Sequence, residues 1–332
     1  MKTKHAKSPC CSAQVHRFGH RRRQCSACKK TWSIRKKKRG RPNVRFIPNV
    51  LKQVFLEKYT LLQLLKRRPG MRLLNFRHQF RQTLRQFVAR PYVPQIPSGK
   101  LILLADGLWF TFQNKHWVLY LTALKSQSDK KAVFLDPILL SGPEGAMRWR
   151  KVFAAIPAEP RSRIHALVAD NLQGMKLIVK QENWILQLCH FHLLLKLQGS
   201  RKPIRHSLKG GSIREEIYQL IRQAIETQDE SHLNTLLARL IQISKSSCGT
   251  QRIQAMVREF IQSVKYYRAY QTYPDLNLPS TTNTVESMCC ILRDLFRRNR
   301  CASSPKALLQ WATTLIRLRK ELICNGKHYQ QN

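Results

Sequence analysis

Between residues 100 and 198 short apolar runs of strand length alternate with stretches of helical period. Leu101-Ile-Leu-Leu-Ala105 closes on Asp106-Gly107, which predicts a buried strand with a carboxylate near its end. His116 to Leu124 (HWVLYLTAL) predicts a second strand. Lys131 to Leu140, which holds AVFLDPILL, predicts a third. Residues 144–155 have helical spacing, with Trp149, Val152 and Phe153 on one side. Ile164 to Ala169 is another buried strand, closing on Asp170-Asn171. A helix through Leu172–Lys180 and a strand from Trp184 to Leu188 follow. Three strands, helix, strand, helix, strand suits a mixed α/β sheet: a meander first, then parallel strands joined by helical crossovers.

The flanks have helical period throughout. Val50, Leu51, Val54 and Phe55 mark one helix, and Thr60 is placed to N-cap a second through Leu65. Pro69-Gly70 breaks the chain. A third helix would bury Leu73, Leu74, Phe76, Phe80, Leu84 and Phe87 and show Arg72, Arg77, Arg81, Arg85 and Arg90 outward. Three short helices with a basic last one have the shape of a helix-turn-helix. Pro91 to Gly99 is a linker by composition. After a loop at 199–212, helices are expected at 213–221, 232–243 and 253–267, as an insertion rather than a separate catalytic domain. Pro279 to Asn283 is a turn or cap. From Thr284 a helix runs through Val285, Met288, Ile291, Leu292, Leu295 and Phe296, with Glu286 in its first turn, where a carboxylate is favoured electrostatically. Pro305 to Ile323 is expected as one amphipathic helix against the sheet, with Trp311, Leu315 and Leu318 inward.

Charge changes the picture. The 332 residues hold 60 Lys+Arg against 18 Asp+Glu, a net charge of +42. Twenty-six of the basic residues and one acid, Glu57, fall in residues 1–90. Like charges at this density argue against an ordinary metabolic enzyme and for a polyanion partner. Hydrophobic residues make up 43%, too many for a disordered basic protein. No apolar run is long enough to predict a membrane span, and no secretory signal is expected.

Cys25-Ser-Ala-Cys28 has the gap that lets two thiolates grip one tetrahedral ion. Cys11, with one of Cys10, His5, His16 or His20, would complete a structural Zn²⁺ site, because adjacent cysteines diverge. So small a segment needs a metal to fold. Arg35, Lys36, Lys37, Lys38, Arg39 and Arg41 then form a basic arm, read either as a solvated linker or as a strap along DNA phosphates.

Together, the cysteine head, the helix-turn-helix, LLADGLWF, LVADNLQGM, a Cys-x-x-His and LPSTTNTVESMCCILRDLFRRNR resemble the DDE transposases of bacterial insertion sequences. The closest likeness is to the Mutator-like group, and it covers essentially the whole chain. It implies an RNase H-like mixed-sheet core with a helical insertion. A zinc-ribbon-like head (1–45) and a helix-turn-helix module (46–90) would precede core parts at 100–198 and 279–332, split by the insertion at 199–278. By this resemblance Asp106, Asp170 and Glu286 are the catalytic acids, holding Mg²⁺ (or Mn²⁺), with two ions expected. Cys189 and His192 match the family's Cys-x-x-His, and Asn283 its Asn three residues before the Glu. One departure stands out: such heads begin Cys-Pro-x-Cys, whereas this chain has Ser8-Pro9-Cys10-Cys11.

The resemblance further implies double-stranded DNA partners, namely terminal inverted repeats and target DNA. It also implies a homo-oligomer at the synapse and a cytoplasmic, nucleoid-associated location in a prokaryote. The rival readings are a non-catalytic, transposase-derived DNA-binding regulator and an RNase H-like nuclease without strand transfer. Asp136 is a rival carboxylate, with Pro137 directly after it. Three acids gathered at one site should repel one another and have raised pKa values without metal.

Overall fold

The structure is a computed structural model that describes residues 10–11, 13–18, 22–33, 48–68, 71–200, 211–245, 251–300 and 303–324. The chain divides into two compact units, Met1–Ile47 and Pro48–Asn332.

The first unit carries β1 (Val15–Phe18), β2 (Arg22–Cys25) and β3 (Thr31–Ser33), antiparallel in that order. Cys25 is its one buried hydrophobic residue among those described. Its N–H donates to the Lys30 carbonyl, and its own carbonyl accepts from the N–H of Lys29, which turns at φ 59°.

The second unit begins with α1 (Pro48–Phe55), α2 (Leu61–Lys66) and α3 (Leu73–Val88). Thr60 caps α2 as expected: its hydroxyl accepts from the Gln63 N–H, and the Gln63 side chain accepts from the Thr60 N–H. Phe76, Phe80 and Leu84 of α3 are buried, whereas Leu74 is 77% exposed and does not belong to the buried side. Arg72, Arg77, Arg81, Arg85 and Arg90 are all exposed.

A mixed α/β sheet of seven strands follows, with helices interspersed between its strands. Its elements are β4 (Leu101–Phe112), β5 (Lys115–Ser126), β6 (Lys131–Phe134), β7 (Ile138–Ser141), α4 (Ala146–Ala154), α5 (Ala158–Ser162), β8 (Ile164–Ala169), α6 (Met175–Glu182), β9 (Ile185–Leu188) and α7 (His190–Ser200). Then come α8 (Gly211–Glu226), α9 (Glu230–Lys245), α10 (Gln251–Tyr267), α11 (Ala269–Thr272), a 3-10 turn at Pro274–Leu276, α12 (Asn283–Asn299), α13 (Pro305–Arg319) and β10 (Glu321–Ile323). The strand order is β10-β6-β5-β4-β8-β9, with β7 also paired to β5. β4, β5 and β6 are antiparallel, while β8 and β9 run parallel to β4.

Several expectations change. β4 does not end at Asp106: it continues to Phe112, because residues 107–112 stay paired to β5 through a turn at Gln113-Asn114. The single strand expected at 131–140 is two strands, broken at Asp136-Pro137, where proline offers no N–H to a ladder. The last helix stops at Arg319, and Lys320 at φ 56° turns the chain into β10 on the edge of β6. α5 and α7 were not expected. α13 packs chiefly against α1 and α3 rather than the sheet, with the Trp311 ring 5.1 Å from Phe55 and 5.4 Å from Phe80.

Strand alternation divides the core. Leu101, Leu103 and Ala105 share a buried cluster with Trp149, Phe153, Met175 and Ile178 and with residues of α8–α10. The even positions of β4 face α12, whose Val285, Met288, Cys289 and Leu292 are buried; Phe110 meets Phe296 edge-on at 5.6 Å. Among the described residues no helix is long and apolar enough to cross a membrane.

Candidate functional site

Asp106 and Asp170 reach one end of the sheet by register. The parallel pairing Leu103↔Leu167 and Leu104↔Val168 puts Asp170, just past the end of β8, level with Asp106 on β4. Each aspartate accepts from the next backbone N–H: Asp106 from Gly107 at 2.8 Å, Asp170 from Asn171 at 2.6 Å. Cys289 of α12 reaches over the sheet to Asp106 Oδ2 at 3.8 Å.

Glu286 lies in the first turn of α12, directed toward the loop after β9. Its Oε1 accepts from the Thr282 hydroxyl at 2.6 Å and lies 3.7 Å from Cys189 Sγ and 3.6 Å from His192 Nδ1. Thr282 also contacts Cys189 through its backbone N–H, at 3.3 Å. Cys189 is fixed by its own N–H on the Ala169 carbonyl, and the His190 N–H donates to Ser280. The turns after β8 and β9 and the entry to α12 are thus tied together. Asn283 is the first residue of α12 and half-buried.

Burial pushes the Asp106 carboxyl up, and Asp170 adds to that, against His192 and the Gly107 N–H. Burial likewise raises Glu286, with Asp106 adding, while Thr282 and His192 oppose. The His192 imidazole is itself pushed up to about 10: burial works against its charge, but Cys189, Asp170 and Asp106 outweigh that. Asp106 therefore lies within electrostatic reach of both Asp170 and Glu286. Their oxygens do not all come within 4.8 Å as a set. The ligand atoms of Cys189, His192 and Glu286 do, and this is a zinc-type donor group.

In so basic a chain the pairing of the acids is informative. Most carboxylates outside this region hold an arginine or lysine, as Glu182 does Arg161 and Glu230 does Arg268. Asp136 is one of these. Both its oxygens accept from Arg317, at 2.9 and 2.6 Å, and Arg317 also donates to the carbonyls of Val88 and Arg90. Asp136 fastens α13 and the linker to the sheet and is no rival for the site. Among the described residues Asp106, Asp170 and Glu286 have no lysine or arginine partner.

A further half-buried acid shares this property. Glu144 takes the indole N–H of Trp149 at 3.0 Å and of Trp109 at 3.1 Å, and covers Gly107 so closely that an added Cβ would meet Oε1 at 2.7 Å. Burial raises its pKa, and Asp106 and Asp170 add to it. Pro143-Glu144-Gly145 reads as an ordinary turn, and only the two indoles that donate to it, one of them 35 positions away, distinguish it. On the insertion side, Glu259 of α10 accepts from Asn171 at 2.8 Å and from Lys196 at 3.1 Å. These residues line a cavity of about 370 Å³ with Asp170, His192 and Tyr267.

In the first unit, Cys10, Cys11, Cys25 and Cys28 bring their Sγ atoms within 4.8 Å of one another, with Cys10 and Cys28 at 3.3 Å. Both adjacent cysteines join the group because residues 10–11 sit in a turn, so the expected divergence of their side chains does not occur. Four thiols make a zinc-type set. His16 stands on β1 opposite Gln24, and His5 and His20 lie outside the described residues. So do Arg35, Lys36, Lys37, Lys38, Arg39 and Arg41 of the basic arm.

No protein-family model matches the chain, and no curated protein matches it significantly.

Proposed function

We propose that the chain is a DDE-type transposase that binds the ends of its insertion element and carries out metal-dependent DNA cleavage and strand transfer. The observation that carries this reading is the set of carboxylates at one end of the sheet, Asp106, Asp170 and Glu286, left without lysine or arginine partners in a chain of net charge +42. Burying such groups is costly unless a cation joins them. The strand order β6-β5-β4-β8-β9, three antiparallel and then two parallel, is the order an RNase H-like core requires. The four-thiol group on a three-stranded antiparallel sheet supports a zinc-ribbon-like head, and the capped α2 with the basic α3 supports a helix-turn-helix.

The oxygen donors of Asp106 and Asp170 suit Mg²⁺ or Mn²⁺, and no lysine or arginine among the described residues competes for them. Bound there, two such ions would activate the attacking oxygen and stabilise the leaving 3′ oxygen of a phosphodiester. The protein's part is positional. β4 and β8 set the aspartates side by side, and α12 carries Glu286 to the same edge. Thr282 and Cys189, whose thiolate is too soft for Mg²⁺, hold Glu286 beside His192 until a change of rotamer brings it to the aspartates. No protein nucleophile is needed, so one site serves both hydrolysis and strand transfer. The DNA partners are the terminal repeats and target DNA. Two element ends imply a homo-oligomer at the synapse, in the cytoplasm of a prokaryote.

One observation favours a second reading, a non-catalytic DNA-binding regulator of the same descent: Glu286 is engaged by Thr282 and lies against Cys189 and His192, so the three acids are not gathered. The test is purified protein with Mg²⁺ and DNA carrying the ends of its own element. Nicked and joined products support the transposase, nicks alone a nuclease, and tight binding without either the regulator.

A further inference from the structure

The second unit carries a cleft of about 830 Å³ between α2 and α3 on one side and the α12–α13 junction on the other. Its walls hold Arg77, Arg81 and Arg85 of α3, Arg298 and Arg300 at the end of α12, and Lys306 in the first turn of α13. Among the described residues no acidic one lines it. Arg298 is held by Asp294 and the Lys58 carbonyl, which fixes one cation in place. The other five make no ion pair among the described residues. The floor is apolar, formed by Phe80, Leu84 and Trp311, so the cations stand over low-dielectric ground.

A solvated basic face would spread its charges over a convex surface. Here three separate elements turn theirs into one concavity, where like charges repel and the field is focused. The complement of such a cleft is a row of phosphates with regular spacing. We infer that the cleft grips one sugar–phosphate strand of a DNA duplex and, through α12, fixes how far that grip lies from the carboxylate end of the sheet. The grip stands on the cleft alone; the distance rests on the transposase reading above.

The distance follows from helix geometry. α12 is one continuous helix from Glu286 in its first turn to Arg298 in its last. Twelve residues of helix span about 18 Å. At roughly 3.4 Å per nucleotide of duplex, that is about five phosphates counted from Glu286 for a strand that follows α12, the cut bond being where Glu286 joins the aspartates. The cleft is then a ruler as well as a clamp, since a rigid helix joins the grip to the site.

The test uses the full-length protein with its zinc and a labelled duplex carrying an element end, for native protein and for the double variant Arg300→Ala/Lys306→Ala. Neither residue belongs to the carboxylate site, and an unchanged thermal midpoint shows that the variant folds. The slope of log affinity against log salt should fall by about two, close to 0.9 for each lost phosphate contact. Phosphate ethylation should interfere with native binding about five phosphates from the cut bond, and this interference should vanish in the variant. Charge reversal, Arg300→Glu/Lys306→Glu, should weaken binding further. An unchanged slope in a folded double variant overturns the cleft as a phosphate grip, even if the protein cuts and joins DNA. A reduced slope in a protein that never cuts DNA leaves the grip standing and removes the transposase reading. If an RNA duplex binds more tightly than the DNA and carries the slope change instead, the DNA assignment falls.

Discussion

The thiol cluster of the first unit and the carboxylate end of the sheet both gather ligand-type side chains, but for opposite structural reasons. The head holds short strands around Cys10, Cys11, Cys25 and Cys28, and buries among its described residues one hydrophobic side chain, Cys25. Its ligands are its core. The carboxylate end rests on β4, β5 and β8, where Leu101–Ala105, Leu119, Leu121, Leu167 and Val168 are all at most 1% exposed. That sheet needs no ion to exist, and its acids are a burden the apolar core tolerates. On the proposed reading, metal makes the fold in one region and the chemistry in the other, and the same chelator should act differently on each.

The largest effect is expected at the head. Structural zinc contributes roughly 10–16 kcal/mol in small zinc-dependent folds, far more than this strand set gains by burial. Removing the metal, or substituting Cys25→Ala with Cys28→Ala, should unfold residues 10–33 and leave Pro48–Asn332 folded. Hydrogen exchange on the full chain reads this directly: amides of β1–β3 lose protection, while those of β4, β5 and β8 keep it. Bound zinc should fall from one ion per chain to none. Equal loss of protection in both units would abolish the distinction.

At the carboxylate end the prediction inverts. Asp106→Asn or Asp170→Asn should reduce cleavage and joining on the order of a thousandfold or more, since neutral amides bind Mg²⁺ poorly. The thermal midpoint of the second unit should hold or rise, because a buried acid without a cationic partner has been removed. Binding to element ends should persist, as it rests on the basic residues. A large drop in midpoint would mean that these acids support the fold, and would collapse the contrast with the head.

What could be read in advance divides along the same line. The apolar runs of β4, β5, β8 and β9 announce themselves by composition, and the Cys25–Cys28 gap and the Thr60 cap are local signals. Pairing fixes what local pattern leaves open. Gly107 to Phe112 mixes buried, half-buried and exposed positions without a clean alternation and stays a strand because each residue faces a partner on β5. α7 was missed because its apolar residues follow β9 without punctuation. Glu144 depends on Trp109, thirty-five positions away, and Asp136 on Arg317, 181 positions away. No spacing rule reaches that far. The candidate aspartates stand out in the sequence because each ends or interrupts an apolar run. Glu286 and the Cys189–His192 pair came from family likeness, and their mutual contact became visible only in three dimensions.

A third change tests whether packing alone holds the second unit. Trp311 is buried between Phe55 and Phe80, joining α13 to α1 and α3. Trp311→Ala should cost roughly 3–5 kcal/mol through lost burial and the cavity left behind. Denaturant titration of the second unit measures this, and zinc content should stay unchanged. A loss under about 1 kcal/mol would show that the helices collapse into the gap and that their contact is looser than drawn.

The smallest effect separates two neighbouring residues on one strand. Asp106 points toward α12 and Gly107 toward Glu144, so a change at Gly107 touches the far face of the sheet. A methyl group there would meet Glu144 Oε1 at 2.7 Å. That carboxylate cannot simply swing aside, because the indoles of Trp109 and Trp149 both donate to it. Moving it breaks at least one of those bonds or shifts a buried tryptophan. Gly107→Ala should therefore cost about 1–3 kcal/mol, the usual range for overpacking. Its effect on cleavage should be modest, since Asp106 keeps both its strand position and the backbone N–H that follows it. Pairing the variant with Glu144→Ala makes the assignment specific. Removing the carboxylate relieves the clash, so the two changes should cost less together than their sum. Strictly additive costs would place the Gly107 strain elsewhere, and a loss of cleavage as deep as that of Asp106→Asn would show that the two faces of the strand act as one.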